Sequence, residues 1–161
     1  LVEEFDNLAI VRSFSKAAGM PGIRLGYLVG HPSVIAAAGK TRGSYEVNAV
    51  ALAFGCFVLD RPGFMSDVIA DVENGRSVLR ETADRLGLRT PACPANFQLV
   101  RLPGSISTDV VVAGLLANGY VVKGGMPEAG LDDCLRVTLD GPEIMRGFCA
   151  ALEKVVGQAR S

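Results

Sequence analysis

Tryptophan is absent from this sequence, histidine occurs once, and aromatic residues make up only 6% of it. The four cysteines, Cys56, Cys93, Cys134 and Cys149, lie far apart and form no C-x-x-C pair. With His31 the sole imidazole, a zinc site of ordinary spacing is excluded, and so is a dense disulfide framework. Each cysteine has apolar neighbours in sequence, which predicts four buried thiols and a reducing, cytoplasmic compartment. Charge of neither sign dominates: 16 Lys and Arg stand against 17 Asp and Glu, for a net charge of −1. That balance gives no basic footprint for nucleic acid or an anionic membrane surface. The most apolar run, "NAVALAFGCFVL", is too short to span a bilayer, and no signal-peptide pattern is visible. No metal site and no membrane or nucleic-acid partner is expected.

What remains is a globular α/β composition: 161 residues, 49% hydrophobic, with 19 glycines. That length can bury a core of one domain or two small ones. The chain opens on Leu1 with no initiator Met, and an acidic stub leads straight into a strand pattern, as expected for a piece of a longer protein. Leu8 to Phe14 is β-branched and apolar and reads as a buried strand; Arg24 to Gly30 reads as a second. Gly19, Pro21 and Gly22 rule out a regular helix between them. Pro32 opens a helical stretch, and residues 48–60 form a helix apolar all round, predicted to be buried against a core or another subunit. Asp60-Arg61-Pro62-Gly63 marks a break, followed by a long helix over 64–86 stopped by Gly87. Beyond it come a strand at 96–102, a helix opened by Ser107 or Thr108 and ended by Gly119, strands at 120–124 and 134–140, and a final helix from Pro142. The expected division is residues 1–60 as one module and 61–161 as a linking helix with an α+β module.

"SFSKAAGMPGIRLGY", Ser13 to Tyr27, places a lysine between two serines and three glycines, with an arginine eight residues after it. The glycines are spaced G-x-x-G-x-x-x-G, not as a dinucleotide G-x-G-x-x-G, and no P-loop motif occurs. Ser13 to Lys16 formally matches S-x-x-K of acyl-transfer enzymes, but glycine and proline break the helix that chemistry needs. Another reading uses every part. A lysine at a strand end condenses with an aldehyde when burial or nearby cations keep its amine partly neutral. Ser13, Ser15 and Arg24 supply hydroxyls and a guanidinium suited to a phosphate dianion. An aldehyde bearing a phosphate is pyridoxal phosphate. Arg136 also admits a purely structural reading as the cross-strand partner of an acid, and Arg12 and Arg101 read as surface charges. Tyr27 reads as packing and His31 as a surface residue leading a helix.

The same stretch closely resembles the cofactor-lysine segment of fold-type I, class I/II aminotransferases, above all the histidinol-phosphate aminotransferase branch. "PANFQLVRL", "LANGYVVKG" and "CLRVTLDGPEIMRGFCAAL" resemble later segments of that branch, in order, so the likeness runs the length of the chain. It implies an α/β chain: the end of the large mixed-sheet cofactor domain followed by the α+β small domain. It implies that Lys16 binds the pyridoxal phosphate aldehyde and moves the proton between substrate and cofactor. Ser13 and Arg24 would hold the phosphate, with Ser15 beside them. Arg136 would clamp a substrate carboxylate, Asn96 would line the small-domain side, and Tyr45 and Asn48 would face the pocket or a dimer partner. The implied function is amino-group transfer between an amino acid, or an amino-phosphate such as histidinol phosphate, and a 2-oxo acid, by a homodimer. Where the branch carries an arginine, this chain has Lys123; "AAGMPG" replaces an aromatic-bearing segment; and Leu139-Asp140-Gly141 departs from the pattern after "LRVT". Those departures leave a threonine-phosphate decarboxylase-like lyase and a broad-specificity amino-acid aminotransferase open. Family subunits are also much longer, so a non-catalytic truncated domain stands as a further alternative.

Overall fold

A computed structural model describes residues 1–160. The chain's contacts group into two compact units, Leu1–Ile69 and a second beginning at Ala70.

In the first unit, β1 (Ala9–Ser13) pairs antiparallel with β2 (Gly26–Gly30), in a register running from Ala9 opposite Gly30 to Ser13 opposite Gly26. Gly26 is required there, because a Cβ would collide with the Arg12 carbonyl across the ladder. A short 3₁₀ turn, Pro21–Ile23, sits between the strands, as the glycines and proline demand. Helix α1 (Pro32–Gly39) is capped by His31, whose Nδ1 accepts from the Ser33 amide and lies 2.8 Å from its hydroxyl. Helix α2 (Ala49–Leu59) is capped by Asn48, whose side-chain oxygen accepts from the Ala51 amide at 2.8 Å. A small core gathers Phe14, Ala18, Leu25, Ala51 and Val58.

One expectation fails in this unit, and the burial expected of α2, against a core or another subunit, is met within the unit on one side only. Strand β1 is largely exposed, Val11 at 77%, although its composition reads as buried. Helix α2 buries only Ala51, Gly55 and Val58, and leaves Val50, Leu52, Phe57 and Leu59 open. An apolar run demands burial, but the residues of this unit are too few to enclose both faces of a two-stranded sheet and all sides of a helix.

The second unit is built on an antiparallel sheet of order β3-β5-β4: β3 (Phe97–Arg101), β4 (Lys123–Met126) and β5 (Leu131–Thr138). Helix α3 (Pro62–Arg85), within which the two units divide, ends at Gly87 in a left-handed turn, and the Leu88 amide reaches back to the Ala83 carbonyl. Helix α4 (Thr108–Ala117) ends the same way, Gly119 at φ 87° and the Tyr120 amide on the Leu115 carbonyl. Helix α5 (Pro142–Ala159) carries the apolar stripe of the core: Met145, Phe148, Leu152, Val155 and Val156. They meet Leu79 and Ala83 of α3, Val111 and Leu115 of α4, and Val100, Leu135 and Val137 of the sheet. Alternation along β3 and β5 turns Val100, Leu135 and Val137 to the helices and leaves Phe97, Leu99, Arg136 and Thr138 on the other face. Gly75 lets α3 approach the chain at Asp140 more closely than any Cβ would allow. The strand read at 120–124 begins at Lys123, and a bulge between Gly124 and Met126 shifts its register.

Among the described residues no single helix is long and apolar enough to cross a membrane, and no cluster of metal-ligating side chains exists. The cysteines divide: Cys134 and Cys149 are buried, Cys93 is half-buried and Cys56 is exposed on α2. The expectation of four buried thiols therefore fails at Cys56, which lies on the uncovered side of its helix, and is only half met at Cys93.

Candidate active site

Pairing in the first unit gathers the residues singled out in the opening stretch. The last rung of the sheet joins Ser13 to Gly26, and the Phe14 amide extends the pairing to the Leu25 carbonyl at 3.1 Å. This register returns Arg24 to the end of the sheet at which β1 releases Ser15 and Lys16. The Ser15 amide donates to Ser13 Oγ at 3.0 Å, a local turn that holds both serines at the strand terminus. Arg24 adopts φ 54°, the left-handed region, and among the described residues it is the sole non-glycine to do so. It closes the 3₁₀ turn there, and its Nη1 donates to the Pro21 carbonyl at 2.9 Å. A non-glycine side chain held in that region is a strained arrangement of the kind concentrated at ligand sites.

Lys16 opens onto a cavity of ≈ 620 Å³ lined by Val11, Arg12, Ser13, Phe14, Tyr27 and Met65, among others. Its amine is exposed and has no hydrogen-bond or ion-pair partner among the described residues. Burial of this lysine, which the sequence argument invoked, is thus not supplied by this unit. Arg12, read as a surface charge, lies on the cavity wall. Tyr27, 45% exposed and on the cavity wall, lies with its ring 5.7 Å from that of Phe14. Ser15 and Arg24 stand at the same sheet end without lining the cavity. Tyr45 is 98% exposed and Asn48 is committed to capping α2, so neither faces a pocket in this unit.

In the second unit, Arg136 projects from the sheet face opposite the helices and stacks its guanidinium 4.3 Å from the centre of the Phe97 ring. Lys123 lies directly across β4–β5 from it, on the same face. No carboxylate pairs with either cation among the described residues, so the cross-strand acid considered for Arg136 is not there. In the sequence Lys123 stands only as a departure from the branch's arginine; the register that makes it Arg136's neighbour is not readable from composition. Asn96 immediately precedes β3, and its backbone carbonyl accepts from the Leu139 amide at 3.0 Å. Its carboxamide has no partner among the described residues. Arg101, by contrast, is paired with Asp133 at 3.0 Å, as an ordinary structural charge.

Burial raises the thiol pKa of Cys134 and of Cys149, Cys134 with help from its hydrogen bond to Asp133. Both thiols are inert structural groups.

Residues 1–152 match the family model of aminotransferase class I and II. A histidinol-phosphate aminotransferase of Symbiobacterium thermophilum is 37% identical over 158 residues, which are 98% of this chain and 43% of that protein. One from Sinorhizobium fredii is 30% identical over 161 residues, covering 100% of this chain and 44% of that protein. The histidinol-phosphate aminotransferase of Sinorhizobium meliloti, solved in complex with pyridoxal-5'-phosphate, superposes with a TM-score of 0.83 at 25% identity, over 95% of this chain and 42% of that one. An L-threonine-O-3-phosphate decarboxylase from Porphyromonas gingivalis shares the fold at TM-score 0.78 and 24% identity, over 97% of this chain and 49% of that one. The chain thus spans less than half the length of the relatives it matches.

Proposed function

This chain belongs to the class I and II aminotransferases, and from that premise we propose that it is the lysine-bearing and carboxylate-clamping part of a pyridoxal-phosphate aminotransferase. The observation that carries the reading is the β1–β2 register, which brings two hydroxyls, a primary amine and a guanidinium to one end of a sheet. That donor set fits a phosphorylated aldehyde. Ser13 Oγ accepts from the Ser15 amide, so its own hydrogen is free for a phosphate oxygen. Arg24 commits one of its five N–H donors to Pro21 and keeps the rest. Lys16 presents an amine with no competing partner.

Pyridoxal phosphate, when bound, supplies an electron-withdrawing ring that acidifies the α-carbon of the amine attached to it. Lys16 Nζ would hold the cofactor at its aldehyde carbon and would serve as the acid/base that moves a proton at the substrate α-carbon. Ser13 and Arg24 anchor the phosphate, with Ser15 a weaker contributor. Arg136 grips a substrate carboxylate through its fork, Lys123 adds a second positive charge on the same face, and Asn96 offers an unpartnered carboxamide. The substrates are an amino acid or an amino-phosphate such as histidinol phosphate, exchanging an amino group with a 2-oxo acid. Incubation of the cofactor-loaded protein with glutamate tests the reading. The cofactor's visible absorption is expected to fall as the amino group is taken up, and Lys16→Ala to abolish the change. Persistence of the change in that variant contradicts it.

Two further expectations belong to this proposal. The exposed apolar side of α2, with Val50, Leu52, Phe57 and Leu59, supports assembly as a homodimer. Four free thiols support a reducing, cytoplasmic compartment. Exposure of Lys16 favours a second reading for these residues in isolation: they capture the cofactor weakly, because nothing in this unit encloses the amine.

A further inference from the structure

The guanidinium of Arg76 lies in the middle of α3 at 4% exposure. Taking such a group out of water costs several kcal/mol unless its donors are all met. Here they are met by an unusual set. Nε reaches both carboxylate oxygens of Glu73, at 3.1 and 2.9 Å, and Nη2 shares one of them at 3.0 Å. Nη2 also donates to the Ala95 carbonyl, while Nη1 donates to the Phe97 carbonyl at 3.2 Å and to Gln98 Oε1 at 3.1 Å. The intervening carbonyl, that of Asn96, is taken by the Leu139 amide. Three consecutive carbonyls are therefore fixed, two of them by one buried cation.

A purely structural role would end there, with α3 tied to β3. The segment so held is not an ordinary connection, however. It carries the unpartnered carboxamide of Asn96 and the Phe97 ring, and that ring is the surface on which Arg136 rests its guanidinium. A planar fork closing on two carbonyls fixes both the position and the tilt of a peptide segment, which a point charge cannot do. We infer that Arg76 is a positioning residue for carboxylate recognition: closed on the Ala95 and Phe97 carbonyls, it sets the Asn96 carboxamide and, through the Phe97 ring, the Arg136 guanidinium. The inference rests on the aminotransferase reading for what the two groups bind. It adds a residue that touches neither substrate nor cofactor.

The test uses the cofactor-loaded protein that carries this sequence, with Arg76→Lys, Arg76→Met, Phe97→Leu and Arg136→Gln compared with wild type. Transamination to 2-oxoglutarate gives KM and kcat, and calorimetry with glutarate gives a Kd independent of turnover. Arg76→Lys is expected to raise both KM and Kd about tenfold while kcat changes much less, as for a displaced binding group. Arg76→Met is expected to do the same more strongly, and Phe97→Leu to reproduce the pattern with Arg76 intact. A lowered melting temperature with KM and Kd unchanged makes Arg76 a scaffold group and overturns the inference. If neither Arg76 variant folds, Phe97→Leu decides, and an unchanged glutarate Kd there overturns it. Should Arg136→Gln weaken glutarate while the other three variants do not, this inference alone falls. Should wild type neither transaminate nor bind glutarate, the aminotransferase reading fails and takes the inference with it.

Discussion

Lys123 and Arg136 face each other across adjacent antiparallel strands, with no carboxylate beside either among the described residues. Like charges placed directly opposite destabilise a sheet, and on the proposed reading this pair receives the substrate's anion. Lys123→Gln is therefore expected to raise the melting temperature at low ionic strength and to weaken dicarboxylate binding at the same time. The gain should vanish in about 1 M salt, where screening already removes the repulsion. Thermal melts at two salt concentrations, with calorimetric titration of glutarate, check both signs.

Core and surface should separate cleanly in the unfolding free energy. Leu152 is fully buried among α5, α3 and the sheet, and Leu152→Ala is expected to cost about 3 kcal/mol. Val11, despite its place in the apolar run of β1, is 77% exposed, and Val11→Ala should stay within about 0.5 kcal/mol. Urea denaturation of both variants measures the contrast.

Two glycines on helices should respond with opposite sign. Gly75→Ala drives a methyl into the Asp140 carbonyl and against Met145, and is expected to destabilise by about 2 kcal/mol. Gly157→Ala on α5 meets open space and should stabilise by up to about 1 kcal/mol through helix propensity. Chemical denaturation resolves both.

Burial holds the thiols of Cys134 and Cys149 above their ordinary pKa. A raised folded-state value means the native protein keeps protons that the unfolded chain releases. The stability tied to these thiols is whole below the unfolded thiol pKa of about 8.5 and is lost as pH rises beyond it. Unfolding free energies measured between about pH 8 and 10 should decline, and the decline should flatten in Cys149→Ala. At pH 8 iodoacetamide should modify exposed Cys56 first and reach Cys134 and Cys149 only on unfolding, as peptide mapping would show.

The elements of this chain are legible in its sequence wherever local chemistry decides them. The stops at Gly87 and Gly119 and the helix starts at Pro32 and Pro142 all follow from residue type and spacing. The placing of Ser13, Ser15 and Lys16 at a strand end was legible too, because strand ends and donor-bearing residues can be read in order along the chain. Three features were not. The exposure of β1 escapes a reading in which apolar composition stands for burial. The Lys123–Arg136 pair depends on strand register across a bulge. Arg76 looks like one more charge on an amphipathic helix until three carbonyl-bearing residues, distant in sequence, arrive around it.

Covalent capture of pyridoxal phosphate by Lys16 is the measurement on which the whole account turns. The protein is incubated with the cofactor, reduced with borohydride, digested and mapped by mass spectrometry, beside Lys16→Ala. A reduced adduct is expected on the peptide containing Lys16, and none at that peptide in the variant. Adducts scattered over surface lysines, unchanged by Lys16→Ala, would contradict it.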